Sequence, residues 1–198
     1  RRVLSRLSIA GVLIVVNWST YVFAILTGHT VDAAIGYFIN PLVTVALGLV
    51  VLRERITPLQ TLALALGAVA VVILVIGEGR VPVISLALAL SFGLYSLVKK
   101  DVAAKVDPLA GMAIETATVA PFLLVYFGYL ALNGRTSLQR LAAQGSSAPI
   151  SPAAHLALLI GAGLITVIPL IMFATAAKGL TLGTLGFIQY VSPGTQML

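Results

Sequence analysis

The sequence predicts an all-α protein, a polytopic bundle of transmembrane helices, and two observations support this fold class. Of the 198 residues, 60% are hydrophobic and only 9% are charged, whereas soluble domains are about 45–50% apolar and about 25% charged. The apolar residues form continuous runs instead of the alternating pattern that is typical of membrane β-strands. There is no cysteine, which excludes disulfides, thiolate metal sites and cysteine nucleophiles.

Seven apolar runs are long enough to cross a bilayer as helices, because a hydrocarbon core of about 30 Å requires about 20 helical residues. Charged and turn-forming residues separate the runs. The predicted spans are residues 7–26, 31–52, 59–76, 81–98, 109–132, 156–177 and 181–198.

Residues typical of helix starts justify several of these boundaries. Pro58 and Pro108 stand where helices begin, a place where the missing N–H group of proline costs nothing. Thr57 and Asp107 precede them and are predicted N-caps. Residues 133–155 form the one long connection, and we expect a mobile loop there.

Lysine and arginine predict the orientation, because cytoplasmic loops carry an excess of positive charge. Nine of the twelve basic residues lie on one side of the spans, so we expect residue 1 in the cytoplasm. The larger group is Arg1, Arg2, Arg6, Arg53, Arg55, Lys99, Lys100, Lys105 and Lys178, and the smaller is Arg80, Arg135 and Arg140. We interpret Arg53-Glu54-Arg55 as a cytoplasmic anchor and ion-pair cluster rather than a gate.

Two segments, residues 17–41 and 169–193, resemble each other in the order of their features. In each, a span ends at a turn containing a glycine, Gly28 or Gly179, and the next span carries an aromatic residue, a polar residue and a proline. The segments are five spans apart, and an odd shift reverses the direction through the membrane. The sequence therefore predicts an inverted repeat, which is typical of secondary transporters.

The motifs GYFINPL at residues 36–42 and LGFIQY at residues 185–190, with Asn17-Trp18 and Glu115-Thr116, resemble the RarD family. That family belongs to the EamA branch of the drug/metabolite transporter superfamily. The resemblance spans nearly the whole chain and implies helices three to nine of a ten-helix transporter built from inverted five-helix repeats.

The resemblance also implies a division of the chain. Residues 1–78 correspond to the last three helices of the first repeat, and residues 79–198 to the first four of the second, the last of them incomplete. The chain has no initiator methionine and stops within an apolar run. We therefore expect it to be the middle part of a longer protein, truncated at both ends.

Glu115 is the acidic residue that lies well inside an apolar run. An ionised carboxylate in lipid costs several kcal/mol, so the side chain must face the interior, form a pair or take up a proton. Burial favours the protonated form of a carboxyl group, which makes Glu115 the candidate for proton coupling. The alternative is a snorkelling or hydrogen-bonded structural residue, and we expect no basic partner inside the spans.

Pro41, Pro169 and Pro193 are predicted helix breaks. Each removes a backbone hydrogen bond within an apolar run, and the freed carbonyl group requires protein or water as a partner. Asn40 and Ser192, which precede two of the prolines, either supply that partner or contact the substrate. The alternative is a packing kink without a role in binding.

Polar and aromatic residues inside the spans are the remaining candidates for a substrate pathway, which we expect to contain Glu115 as well. They are Asn17, Trp18, Tyr21, Tyr37, Asn40, Tyr95, Gln189 and Tyr190. A mostly apolar pocket with a few placed polar groups suits a small organic solute, whereas the alternative is an aromatic belt at the membrane interface. We expect a cavity that Asn17, Tyr37, Tyr95 and Gln189 reach.

These features favour a secondary transporter that moves a drug, an amino acid or a related metabolite across the bacterial cytoplasmic membrane by alternating access. The expected partners are a small-molecule substrate, membrane lipid and a proton as coupling ion. We expect no cofactor, metal or nucleic acid, and the sequence does not indicate an oligomeric state. The alternative is a non-transporting assembly or lipid-handling protein, and an enzyme is disfavoured because neither HExxH nor GxSxG is present.

Overall fold

The computed structural model describes residues 1–79, 81–145 and 149–191. The regular structure of these residues is entirely helical. The helices are α1 (Arg2–Leu26), α2 (Thr30–Val50), α3 (Pro58–Glu78), α4 (Val83–Ala103), α5 (Pro108–Leu132), α6 (Ser137–Ala143), α7 (Pro152–Gly179) and α8 (Leu182–Gln189). Six of them, α1 to α5 and α7, are long and apolar enough to cross a membrane. The predicted all-α transmembrane fold class is confirmed.

α1 and α4 each extend five residues beyond one end of the predicted span, and both extensions carry charged residues. α1 begins at Arg2 rather than at residue 7, and α4 continues to Ala103 rather than ending at residue 98. Long basic side chains can keep their charged ends near polar partners while the apolar stems pack along the bundle. The charges therefore do not mark the helix ends in these two cases.

Side-chain caps define the starts of five helices, α3, α5, α6, α7 and α8. Thr57 forms a capping box with Gln60 at α3, and Asp107 accepts backbone N–H groups at the start of α5, so both predicted N-caps are confirmed. The segment 133–155 was expected to be a loop throughout, but it contains α6. Thr136 caps α6 in a second capping box with Gln139, and these local hydrogen bonds stabilise a short helix there.

α4 lies at the centre of the bundle. It packs against α1, α2, α7 and α8, while α3 packs on α2, and α5 contacts α1 and α7. Most buried residues belong to α1, α2 and α4. In contrast, the 18-residue apolar stretch of α3 and that of α7 contain no residue that the rest of the described chain buries. The densely packed part of the structure is therefore the group α1, α2, α4 and α8.

Two glycines allow close helix contacts that a larger residue would prevent. A Cβ atom at Gly11 of α1 would lie 2.8 Å from the backbone oxygen of Glu115 in α5. A Cβ atom at Gly186 of α8 would lie 2.7 Å from Val45 and 3.1 Å from the carbonyl oxygen of Pro41, both in α2. These contacts set α1 directly on α5 and α8 directly on α2.

The expected helix breaks at Pro41 and Pro169 are not present. Both residues lie inside α2 and α7, which continue past them as single helices. In apolar surroundings the neighbouring backbone groups gain most by bonding within the helix, so the helix persists despite one missing donor. Pro41 is fully buried, whereas Pro169 is exposed. Ser192 and Pro193 lie outside the described residues.

The two similar segments lie in α1–α2 and at α7–α8. Their inverted relation, the division at residue 78 and the cytoplasmic position of residue 1 stay predictions.

Candidate functional site

A buried ion pair joins Lys99 of α4 to Glu115 of α5. Lys99 Nζ donates a hydrogen bond of 2.6 Å to Glu115 Oε1, and the two residues are only 5% and 6% exposed. Two charges can be buried together in this way because each compensates for the desolvation of the other. Glu115 therefore has a basic partner inside a membrane helix, and the expectation that it has none is wrong. The sequence did not indicate this partner because Lys99 lies in the part of α4 that extends beyond the predicted end at residue 98.

The contact between α1 and α5 fixes the position of Glu115. Gly11 lies directly against the Glu115 backbone, and the hydroxyl groups of Ser8 and Thr118 form a hydrogen bond of 3.1 Å between the same two helices. Two contacts with α1 therefore hold the backbone at and after Glu115, and the Glu115 side chain is directed towards Lys99 of α4.

A cavity of about 280 Å³ lies beside the ion pair, among α1, α4, α5 and α7. Its walls are mostly apolar, and the polar groups other than the ion pair come from Trp18, Tyr95, Thr116 and Thr166. The other lining residues are Gly11, Ile14, Val15, Met112, Val119, Leu123, Gly163, Val167 and Leu170. The ion pair lies towards one end, because the lining of α5 continues about 12 Å from Glu115 to Leu123 but only about 4.5 Å from Glu115 to Met112. A cavity of this size and lining can hold a small organic solute.

Aromatic rings form the wall behind Lys99. Tyr95 is 1% exposed, and its ring stacks on Phe173 of α7 with 6.1 Å between centroids and packs against Phe92 at 5.7 Å. Lys99 Nζ lies 5.8 Å from the centroid of the Tyr95 ring. A ring face at this distance attracts a cation, so Lys99 has a second favourable contact besides Glu115.

The cavity brings together three of the predicted site residues, Trp18, Tyr95 and Glu115. They come from α1, α4 and α5, which are well separated in sequence. The residue that sequence reasoning missed is Lys99. Two signals could have found it: a carboxylate inside an apolar run requires a buried partner, and Lys99 follows Tyr95 by four residues, on the same helix face.

Four other predicted residues lie outside this cavity, at the junction of α1, α2 and α4: Asn17, Tyr21, Tyr37 and Asn40. Asn17 Nδ2 donates to the Leu88 carbonyl oxygen at 2.9 Å and to Ser91 Oγ at 3.0 Å, while the rings of Tyr21 and Tyr37 meet edge to face at 5.7 Å. The crevice between them encloses about 10 Å³, about the smallest space that holds one water. These contacts join helices and leave no room for a solute.

Gln189 and Tyr190, at the end of α8, are partly buried. The Tyr190 hydroxyl is adjacent to Gly67 of α3, since a Cβ atom at Gly67 would lie 2.7 Å from it. Within the described ranges, neither the Gln189 amide nor the Tyr190 hydroxyl has a hydrogen-bond partner. Neither residue lines the cavity. The prediction of one cavity that residues of α1, α2, α4 and α8 share is therefore wrong. Of the four residues expected to reach it, only Tyr95 lines the cavity beside the ion pair. Gln189 lies outside that cavity because α8 packs mainly on α2.

A carboxylate from the α2–α3 connection binds the start of α8. Glu54 Oε1 and Oε2 accept the backbone N–H groups of Leu182 and Gly183, each at 2.8 Å. An anion at a helix N-terminus is stabilised by the unpaired N–H groups and the helix dipole. Arg53 has a left-handed backbone with φ of 53°. Glu54 thus contacts distant backbone, and the interpretation of this segment as an ion-pair cluster is corrected.

A lysine binds the end of α7 in a complementary way. Lys100 donates hydrogen bonds to the carbonyl oxygens of Ala177, at 3.0 Å, and of Leu180. A cation at a helix C-terminus satisfies the free carbonyl groups and the dipole. Lys100 and Glu54 therefore hold the α7–α8 turn from both sides, and neither lines the cavity beside Lys99.

Among the described residues there is no group of three or more histidine, aspartate or glutamate side chains that could hold a metal ion. The cavity instead offers an ammonium group, a carboxylate, hydroxyl groups and an indole N–H. These groups suit hydrogen bonds to an organic molecule.

Comparison with curated proteins finds relatives along nearly the whole chain. An uncharacterized transporter of Pseudomonas aeruginosa is 41% identical over 97% of this chain and 60% of its own length. A protein named RarD from Streptomyces exfoliatus is 41% identical over 97% of this chain and 57% of its own length. Protein RarD of Escherichia coli K12 is 37% identical, with 97% and 61% covered.

This chain thus spans 57–61% of the length of these relatives. No family model matches the chain, and no solved structure matches it. The resemblance to RarD proteins that the motifs indicate is confirmed by the relatives that carry that name.

Proposed function

We propose, from the premise that this chain belongs to the RarD family, that the whole protein is a secondary transporter of a small organic solute in the bacterial cytoplasmic membrane. Several relatives are named as transporters, and six helices of this chain are long and apolar enough to cross a membrane. Both findings support a multi-pass membrane protein of this class.

The observation that carries the proposal is the buried Lys99–Glu115 pair beside an aromatic and apolar cavity. A buried ion pair is a poor source of stability, because its desolvation cost offsets most of its attraction. Ionisable residues inside a membrane bundle more often serve a solute or ion pathway. The position of this pair in the lining of a cavity between helices therefore favours solute binding over a purely structural role.

We assign solute contact to Trp18, Tyr95, Lys99 and Glu115, which line the cavity. Asn17, Tyr21, Tyr37 and Asn40 then position α1, α2 and α4 around it. For Gln189 and Tyr190 we likewise propose a role in the packing of α8 rather than in this cavity.

Alternating access follows from the division of the chain into two repeats. α1 belongs to residues 1–78, while α4, α5 and α7 belong to residues 79–198, so the cavity lies between the two proposed units. In transporters with inverted repeats, one unit rocks against the other around a site at their interface. A movement of α1 against α5 would open the cavity on one side and close it on the other.

Proton coupling through Glu115 acts on the ion pair rather than on an isolated carboxyl group. While Lys99 donates to Glu115, it stabilises the ionised carboxylate. Glu115 takes up a proton when Lys99 moves to another partner. Coupling therefore requires a solute that competes for Lys99 or a conformational change that separates the pair.

Cysteine labelling of the full-length protein, freed of any other cysteines, tests the proposal. Thr166 lines the cavity, and Thr175 lies nine residues further along α7, on the opposite face and exposed. Both side chains bond the carbonyl group four residues earlier, so Thr175→Cys is a matched control for Thr166→Cys.

A thermal-shift screen of drugs, amino acids and metabolites first identifies solutes that stabilise the protein. We expect a membrane-impermeant maleimide to label Thr166→Cys in vesicles. A stabilising solute changes the rate of this labelling, whereas it leaves the labelling rate of Thr175→Cys unchanged. The proposal is overturned if no solute stabilises the protein and Thr166→Cys remains unreactive from both sides of the membrane. That outcome favours a non-transporting assembly protein.

A further inference from the structure

The charges that line the cavity sum to zero. Lys99 and Tyr95 from α4 and Glu115 from α5 are its titratable groups among the described residues, and the linings from α1 and α7 contain none. Lys99 and Glu115 already form a pair at 2.6 Å. A solute that brought a net charge without compensation would leave a buried, unpaired charge, which is strongly unfavourable in an apolar site.

The polar groups around the pair restrict what can replace it. Lys99 has three N–H donors, and one of them serves Glu115. Its ammonium group also lies over the Tyr95 ring, and this contact favours the charged form of lysine when the carboxylate leaves. Glu115 is the group that can become neutral by taking up a proton.

We propose that the solute of the cavity, in the transporter proposed above, is a small monocarboxylate with an apolar or aromatic body that replaces Glu115 on Lys99 while Glu115 takes up one proton. This inference rests on the proposed function and adds the class of solute to it. The apolar body lies against Trp18, Val15, Val167 and Leu170, which line the same cavity.

The exchange balances in atoms and charge. The hydrogen bond from Lys99 Nζ to Glu115 Oε1 breaks, and one from Lys99 Nζ to a carboxylate oxygen of the solute forms. A proton from water adds to the Glu115 carboxylate. Before binding the site contains one ammonium and one carboxylate, and after binding it contains one ammonium, one solute carboxylate and one neutral carboxylic acid, so its net charge stays at zero.

Other charge types fit this site less well. An ammonium solute would need Glu115 and would leave Lys99 without an anionic partner. A zwitterion would bring two further charges into a cavity with mostly apolar walls, and each charge would lose its hydration. A monocarboxylate brings one charge, and a proton balances it.

A series of one-ring probes tests this charge preference on the wild-type, full-length protein in detergent. The probes are phenylacetate, its neutral analogue phenylacetamide, the cation phenethylammonium and the zwitterion phenylalanine. Titration calorimetry in two buffers with different heats of ionisation gives both the affinity and the number of protons taken up. We expect phenylacetate to bind most tightly, with one proton taken up for each molecule bound, and phenylacetamide to bind without proton uptake.

Three variants separate the roles of the two charged residues. Lys99→Gln lowers the affinity for phenylacetate by at least about 100-fold, as expected when one partner of a buried charge pair is removed. Glu115→Gln retains phenylacetate affinity or increases it, and proton uptake disappears. Lys100→Gln is the matched control, because its side chain binds the end of α7 outside the cavity, and it leaves phenylacetate affinity unchanged.

The inference is overturned if phenylacetamide, phenylalanine or phenethylammonium binds more tightly than phenylacetate, or if phenylacetate binds without proton uptake. The wild-type series decides this even if a variant does not fold. Failure here is distinct from failure of the proposed function. Protection of Thr166→Cys by neutral or cationic solutes but not by phenylacetate would refute the monocarboxylate and retain the transporter, whereas a protein that no solute stabilises or protects refutes both.

Discussion

The contact between Glu54 and the start of α8 leads to a prediction about stability. Glu54→Gln replaces a carboxylate that accepts two backbone N–H groups, from Leu182 and Gly183 at 2.8 Å each, by an amide with one acceptor. The variant loses one charge-assisted hydrogen bond, a contribution of about 1.5–3 kcal/mol. It also loses the attraction between the charge and the helix N-terminus, about 0.3–1 kcal/mol. We expect the free energy of unfolding to fall by about 2–4 kcal/mol.

The assay is reversible unfolding of the full-length protein in mixed detergent and dodecyl sulfate micelles. Asp107→Asn is the matched control, since Asp107 is also a carboxylate that accepts two N–H groups at a helix start. Asparagine caps a helix about as well as aspartate, so this variant retains most of its stability. Equal losses for Glu54→Gln and Asp107→Asn, both below about 0.5 kcal/mol, would refute the reasoning that Glu54 anchors α8.

Three further predictions concern the helix contacts, and the same unfolding assay checks them. Lys99→Met leaves Glu115 unpaired and destabilises the protein by about 3–5 kcal/mol, while adding Glu115→Leu restores most of that loss. A double variant as unstable as the single one would contradict the conclusion that the two residues form a buried pair. Asn17→Leu removes two hydrogen bonds to α4 and lowers stability by about 1–3 kcal/mol. It leaves the affinity for a solute that protects Thr166→Cys unchanged, whereas a large loss of affinity would place Asn17 in the solute site. Gly11→Val forces α1 from α5 and costs at least about 1–3 kcal/mol, whereas Gly128→Val, where a Cβ atom meets nothing within 4 Å, has little effect.

The helices could be predicted from the sequence because their signals are local. Continuous apolar runs locate the spans, and Thr57 and Asp107 mark helix starts through hydrogen bonds to residues two or three positions away. The end of α4 could not be located in this way. Lys99 and Lys100 are charged, but their partners are Glu115 and the end of α7, which only the packed bundle brings near.

The walls of the cavity could not be predicted for a related reason. α7 is apolar on all sides, so its sequence does not show which face meets α5. The contact of Gly11 with Glu115 decides how α1 and α5 cross, yet Gly11 is one of 18 glycines in the chain. Polar residues such as Asn17 signal a partner in a membrane helix but do not show whether it is a helix or a solute.

Solute binding in the cavity between α1, α4, α5 and α7 is what the proposed function requires. Its most direct test compares Gly163→Leu with Gly161→Leu in full-length protein, using a solute that protects Thr166→Cys. A Cβ atom at either glycine meets nothing within 4 Å, but only Gly163 lines the cavity. We expect Gly163→Leu to weaken solute binding by about tenfold or more and Gly161→Leu to bind as the wild type does. Equal affinity in the two variants would contradict solute binding in this cavity.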